Sequence, residues 1–594
     1  MADTTRGSVP SRWGMPLEQY VLTYGTGKPQ PDWVGGTCHE KVLADIKKVS
    51  ALGLGELHYP SGISITTLRS ILHSHSPIDY VELGSPAFIS GCIKLMSSIR
   101  LIEKGSPFSY ELGYACFRMV AIGLAVCLLR RAAELEMRIG KIIRKANPKA
   151  LTENTIQLHI THLVQDLAIH LGGREKDAYN CIVGWSACPE HPKCSAPPIV
   201  SLSDTCTLLN ILYEDRRLLL QAFALLCPTG ISAVIFLLWR YVSYERFRAG
   251  YQETRKHAGP LQTVLWRCFL ITANVEQETF ATICSRDDDL WPGRKTGPLL
   301  SVELEDSKVL AISFIKRLQR VENKSNKPLL FVDLLNALIF VKHHFLPGCQ
   351  DLVAHCYGAV IEQVWYALER KEQGNFENYS DLDIPSAFGR VVDMFSETIM
   401  LLTQWKDTTP ATVEQIIQEI IRTDLLDLIG RIIFLLNPSL DSNRESEDYQ
   451  VNAHVLKGSQ GLLEDLSRLA SPPILEARFR FYGPNWWKIA LQMSFLSQVA
   501  PPGKLLLGGR QRGFYDICWE IWRQIGRSIQ HPVAETPSSS FCSYIRCPDP
   551  IVTTGSMYQC SKCHKAEYCS PRCQALDWLY DHETISHHVS CPDP

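Results

Sequence analysis

Apolar side chains recur at helical spacing along most of the chain, from about residue 38 to 530. In the stretch TTPATVEQIIQEIIRTDLLDLIG, Thr409 offers a capping hydroxyl and Pro410 suits the first helical position. Val413, Ile416, Ile417, Ile420 and Ile421 then fall on one face, which predicts a helix beginning at Pro410. Asn437-Pro438 stops the run that follows. Similar stripes appear in DLVAHCYGAVIEQVWYALERKEQGN, LLFVDLLNALIFVKHHFLPG and FYDICWEIWRQIGRSI, whereas alternating patterns of useful strand length are scarce. The expected fold is therefore mostly α. Because no strict repeat length emerges, the extended helical region is read as either an armadillo/HEAT-like stack or an irregular all-helical body.

Polarity divides the rest. Residues 1–36 are rich in Gly, Pro and polar side chains and read as a poorly ordered arm. Residues 37–530 form the helical region, broken by polar stretches near 370–383 and 438–450. Residues 531–540, HPVAETPSSS, read as a linker, and 541–594 as a small C-terminal domain. One segment, Leu218 to Trp239, carries no formal charge and is long enough to span a bilayer. Pro228-Thr229-Gly230 interrupts it, predicting instead two buried helices joined by a tight turn, with Thr229 capping the second. A membrane span is the alternative reading of that segment.

Charge and composition narrow the function classes. Lys and Arg number 60 against 62 Asp and Glu, a net charge of -2, so no global basic field exists to hold nucleic acid by counterion release. The segment MADTTRGSVPSRWG lacks the apolar core of a secretory signal, and the chain is expected in a reducing compartment, cytoplasm or nucleus. There, clustered cysteines hold metal more often than they form disulfides.

Of 21 cysteines, fourteen are scattered singly and seven fall at or after Cys542. In order the candidate ligands are Cys542, Cys547, Cys560, Cys563, Cys569, Cys573, a histidine and Cys591. Zinc takes four such donors in a tetrahedron. The two-residue spacing of Cys560 and Cys563 suits a tight knuckle around one ion, and Cys569 and Cys573, four apart, share a face at a helix start. Eight donors make two tetrahedra. An all-thiolate site is anionic, and Arg546, Lys562, Lys565 and Arg572 lie near enough in sequence to offset it.

The run YCSPRCQALDW behind CSKC resembles the MYND zinc finger, over about Cys542 to Cys591. The resemblance implies a small two-zinc cross-brace finger. It assigns Cys542, Cys547, Cys569 and Cys573 to one ion, and Cys560, Cys563, a late histidine and Cys591 to the other. Two spacings depart from the family. Cys542 and Cys547 enclose four residues in place of two, and Cys573 to Cys591 is unusually long. The histidine is assigned to His587, four before Cys591, with His582 and His588 as alternatives. With every position filled by protein such sites are structural. In MYND fingers of transcriptional corepressors the surface grips proline-containing peptides, and the matching positions are Ser561, Gln574 and Trp578. Trp578 has packing of the small fold as its competing role.

Other clusters carry weaker signals. CPEHPKC, with Cys188, His191 and Cys194, has metal-binding residue types but no partner cluster, although Cys181 is a candidate fourth ligand. His159 and His162 share a helical face without a carboxylate or thiol beside them. GTGKP at 25–29 lacks the upstream glycine and the Ser/Thr of a phosphate loop. GGRQRG at 508–513 reads as a flexible turn, and Asp287 to Asp289 as an acidic turn.

The expectation is an interaction scaffold, not an enzyme, with a protein partner and no membrane or nucleic acid. Two enzyme classes carry comparable fingers: SET-type methyltransferases and RING-like ubiquitin ligases. The first needs an Asn-His-Ser-Cys-like stretch and the second a Cys-x-His-x2-Cys element with a final CxxC. This sequence offers neither.

Overall fold

The computed structural model describes residues 12–25, 39–57, 60, 62–72, 81–103, 105–132, 153–170, 180–185, 197–226, 230–272, 274–287, 303–319, 329, 331–372, 384–438, 446–498 and 505–530. In the C-terminal region it describes 542–544, 547, 558–563, 566–579, 587 and 591. Helices dominate throughout, as the sequence pattern requires. The chain divides into two compact units, Met1–Arg317 with Val321–Lys327, and Leu318–Arg320 with Pro328–Pro594. The cysteine-rich region falls inside the second unit, and the expected linker 531–540 lies outside the described residues.

The first unit is organised around the helix Glu111–Arg131, whose residues Glu111–Leu129 are buried almost without interruption. By length and composition it is the one described helix able to cross a membrane, and 94% of its apolar window is covered by protein. Glu111 at its first turn is fully buried and receives Arg69 through two bonds of 2.6 and 2.5 Å. Tyr24 Oη (2.8 Å) and the Met15 amide (3.1 Å) complete its set. These bonds fold part of the stretch expected to be a loose arm. Residues 17–25 form a helix, and Tyr20 is wholly buried, donating to the Phe108 carbonyl at 2.7 Å.

The 218–239 segment is two buried helices, Arg216–Leu226 and Ile231–Ala249, as its Pro-Thr-Gly interruption predicted. The expected capping residue Thr229 lies outside the described residues. Gly230 enters the second helix at φ 91°, and the buried Glu276 carboxylate serves as the cap. Its Oε1 accepts from Gly230 N (2.9 Å), Ser232 N (3.0 Å) and Ser232 Oγ (3.0 Å).

In the second unit, Ile384–Gln404 packs along Glu447–Leu469, and Gln350–Glu372 along Pro410–Arg422. Thr409 caps the latter, its Oγ1 accepting from Thr412 N at 3.2 Å with Pro410 at the first helical position. The helices Gly483–Gln498 and Leu505–Ser528 pair through Trp486 and Trp522. Each indole N–H donates to the other residue's carbonyl, at 3.3 and 3.0 Å. The second of these helices absorbs 508–513, correcting the turn read from GGRQRG. Phe514, Cys518, Trp522 and Ile525 are buried along its face, and that packing overrides the weak propensity of the glycines.

The alternative metal and phosphate clusters find no support among the described residues. His162 is exposed, and Asp287 is buried in an ion pair with Arg246 at 3.0 Å. Cys188, His191, Cys194 and residues 26–29 lie outside the described residues.

Candidate metal centre

The cysteine-rich region has little secondary structure of its own. Tyr558–Gln559 and Glu567–Tyr568 form a short antiparallel pair, followed by the helix Pro571–Leu579. The helix begins where Ser570-Pro571 says it should, with Ser570 Oγ accepting from Cys573 N at 3.1 Å. That cap sets Cys573 one turn into the helix, facing Cys569.

Two groups of four donors result. Cys542, Cys547, Cys569 and Cys573 form one; Cys560, Cys563, His587 and Cys591 form the other. Within each, all four donor atoms lie within 4.8 Å of one another. The two groups alternate along the chain, as a cross-brace requires. Sulfur separations are 3.7 Å for Cys547–Cys569, 3.6 Å for Cys569–Cys573 and 3.8 Å for Cys560–Cys591. Cys563 Sγ and His587 Nε2 are 3.5 Å apart. A zinc tetrahedron with sulfur at ~2.3 Å and nitrogen at ~2.0–2.1 Å has edges of about 3.8 Å between sulfurs and about 3.6 Å between sulfur and nitrogen. A disulfide would bring two sulfurs to ~2.05 Å, and none of the seven donor cysteines is in a disulfide. The two groups fit two zinc ions.

His587 is the histidine brought to the second group, and its carbonyl accepts from Cys591 N at 2.7 Å. His582 and His588 lie outside the described residues. Within the wider Cys542–Cys547 spacing, Cys547 N donates to Tyr544 O at 2.9 Å. The groups differ in burial. Cys542, Cys547 and Cys573 are no more than 3% exposed, while Cys563, His587 and Cys591 in the second group are half-buried. The Cys569 thiol is held far below its ordinary range by the neighbouring sulfurs of Cys542, Cys547 and Cys573, with the ammonium of Lys488 assisting.

That ammonium adds a counter-charge not expected from the sequence. Lys488, on the helix Gly483–Gln498, donates to Cys547 Sγ at 2.7 Å and to Cys569 Sγ at 3.1 Å. Of the cations near in sequence, Arg572 and Lys562 are engaged elsewhere. Arg572 pairs with Asp424 and Asp427, and its guanidinium lies 5.1 Å from the ring centre of Tyr482. Lys562 sits 5.3 Å over the Trp578 ring, and Arg546 and Lys565 lie outside the described residues.

The finger is thus anchored to the helices of its unit. Tyr544 Oη donates to Asp424 at 2.6 Å, and Arg431 donates to the Cys547 carbonyl at 2.9 Å. Asn485 donates to Asp427 at 3.3 Å. Asp424 holds a left-handed backbone (φ 51°) ahead of the helix Leu425–Leu435, a conformation Asp tolerates better than most residues. None of these anchors was identified from sequence. The signals were present but unspecific: acids three apart between leucines in DLLDL, and one lysine on the buried face of NWWKIALQM.

The three proposed peptide positions lie on or beside the strand pair. Ser561 is exposed, and Gln574 donates to the Gln559 carbonyl at 3.2 Å. Trp578 is half-buried, packing against the finger's small core with its ring 6.0 Å from that of His587.

Residues 542–591 match the family model of the MYND finger. Comparison with curated proteins and with solved structures gives no match for the chain.

Proposed function

We propose, from the MYND finger that occupies residues 542–591 of an otherwise helical chain, that this protein is a non-enzymatic interaction scaffold recruiting a proline-containing peptide. MYND fingers are zinc-binding protein-interaction domains, and one observation carries the reading furthest. Each donor group supplies four protein ligands, which leaves no open position for water or substrate. Such ions fix a surface and do no chemistry.

The peptide reading rests on the face formed by Ser561, Gln574 and Trp578. A half-buried indole beside a short strand suits a proline ring stacked on it and a backbone laid along the strand. Lys562 covers one side of that indole, so the peptide displaces it or uses the opposite edge. The compartment is the cytoplasm or nucleus, where thiols stay reduced.

The test is Trp578→Ala in the full chain, with zinc content measured beside binding of a labelled proline-rich peptide. Retained zinc with binding reduced tenfold or more supports the reading. Unchanged binding sinks it.

A further inference from the structure

The four-cysteine group is the more anionic of the two and also the more buried. Zn2+ with four thiolates carries two net negative charges, whereas three thiolates and a neutral histidine leave one. A doubly negative centre pressed against an apolar body is costly without a counter-charge. The helical body supplies one. Lys488 is 7% exposed, one helical turn from the buried Asn485, and its ammonium reaches two of the four sulfurs. The Cys560/Cys563/His587/Cys591 group, half-buried at three of its four members, is the more open to solvent.

We propose that Lys488 completes the four-cysteine zinc centre from outside, so that the ion in this centre and the docking of the finger on the helical body stabilise each other. The cation draws charge from the sulfurs and holds Cys547 and Cys569 in place, while Arg431 fixes the Cys547 backbone from the neighbouring helix. Outer partners of this kind alter metal affinity by roughly 10–100-fold. The coupling is reciprocal, since whatever binds only the docked state stabilises it. Removing the ion therefore loosens helices more than fifty residues upstream of the cysteines; Lys488 precedes Cys547 by 59 residues.

The experiment uses the zinc-loaded full chain and a chromogenic chelator, following release of the two ions. Lys488→Met should speed release of one ion by 10–100-fold and leave the other at its wild-type rate. Lys488→Arg should restore much of the difference. In a Cys591→Ser background, which disables the other centre, the remaining ion should be the Lys488-sensitive one. Wild-type rates for both ions in folded Lys488→Met overturn the proposal. If that variant does not fold, the wild-type chain decides. Amide exchange in Gly483–Gln498 and Leu425–Leu435 should rise at least tenfold as the four-cysteine ion is stripped, and unchanged protection overturns the coupling.

Discussion

Replacing Arg572 with Met keeps much of the bulk of the side chain and removes a cation that pairs with both Asp424 and Asp427. The two carboxylates are 0% exposed, whereas Arg572 retains 20% of its side chain in contact with solvent. After the change, Asp424 keeps the Tyr544 hydroxyl and Asp427 keeps the Asn485 amide. Neither carries a compensating charge. Breaking a buried pair from one side costs ~3–5 kcal/mol, and solvent around Arg572 favours the lower end. A loss of about 3 kcal/mol multiplies the opening constant of the docked finger by roughly 100–150-fold. Native-state hydrogen exchange reads this directly, at the amides of Pro571–Leu579 and of Leu425–Leu435 in the full chain. A triple change, Arg572→Met with Asp424→Asn and Asp427→Asn, should recover much of the loss, because no buried charge is then stranded. If Arg572→Met raises exchange less than tenfold, the ion-pair cluster does not hold the finger and the reasoning is wrong.

Two further predictions concern the first unit. A methyl group on Gly91 would lie 2.1 Å from the Val49 carbonyl oxygen, where Pro86–Glu103 crosses His39–Leu54, so Gly91→Ala should destabilise the unit by ~1–3 kcal/mol; a urea midpoint that does not move refutes the close crossing. Burial raises the Glu276 carboxyl to about 7, against the opposing pull of the Ser232 and Gly230 donors. The folded state then binds the proton more tightly than the unfolded state, so stability is highest at low pH and falls as pH rises from about 4.5 to about 7, by on the order of 3 kcal/mol in all. Glu276→Gln should remove that slope and be the more stable form at pH 8, measured by urea unfolding at several pH values; an unaltered slope contradicts it.

The parts of this molecule that are legible in sequence are those decided locally. Thr409, Pro410 and the isoleucine stripe after them specify a helix whose start falls where expected. The interruption at Pro228 divides a 22-residue apolar run into two helices. The cysteine spacing gives both donor groups because a knuckle and a helical turn are local geometry. What escaped is decided at a distance. Residues 508–513 belong to a helix whose buried residues Phe514, Cys518 and Trp522 come after them. Residues 17–25 are ordered by Glu111, some ninety positions away. Lys488, Arg431, Asp424 and Asp427 look like ordinary helix residues until the finger is laid on them. The nearest cations in sequence were plausible counter-charges for the thiolates, and tertiary structure assigned Arg572 to carboxylates and Lys488 to sulfur.

The left-handed corner at Asp424 has a consequence for the order in which the second unit is completed. Its carboxylate meets Tyr544 and Arg572, which follow it by 120 and 148 residues. At a synthesis rate of ~5–20 residues per second, Arg572 emerges roughly 7–30 s after Asp424. Throughout that interval the helices flanking the corner can form, because their contacts are near in sequence, but Arg572 is not yet there to meet the two acids in their midst. Until then the nascent helical unit exposes the surface that the finger later covers. Its last native contacts are among the most sequence-distant it makes, which places the finger's closure late in folding.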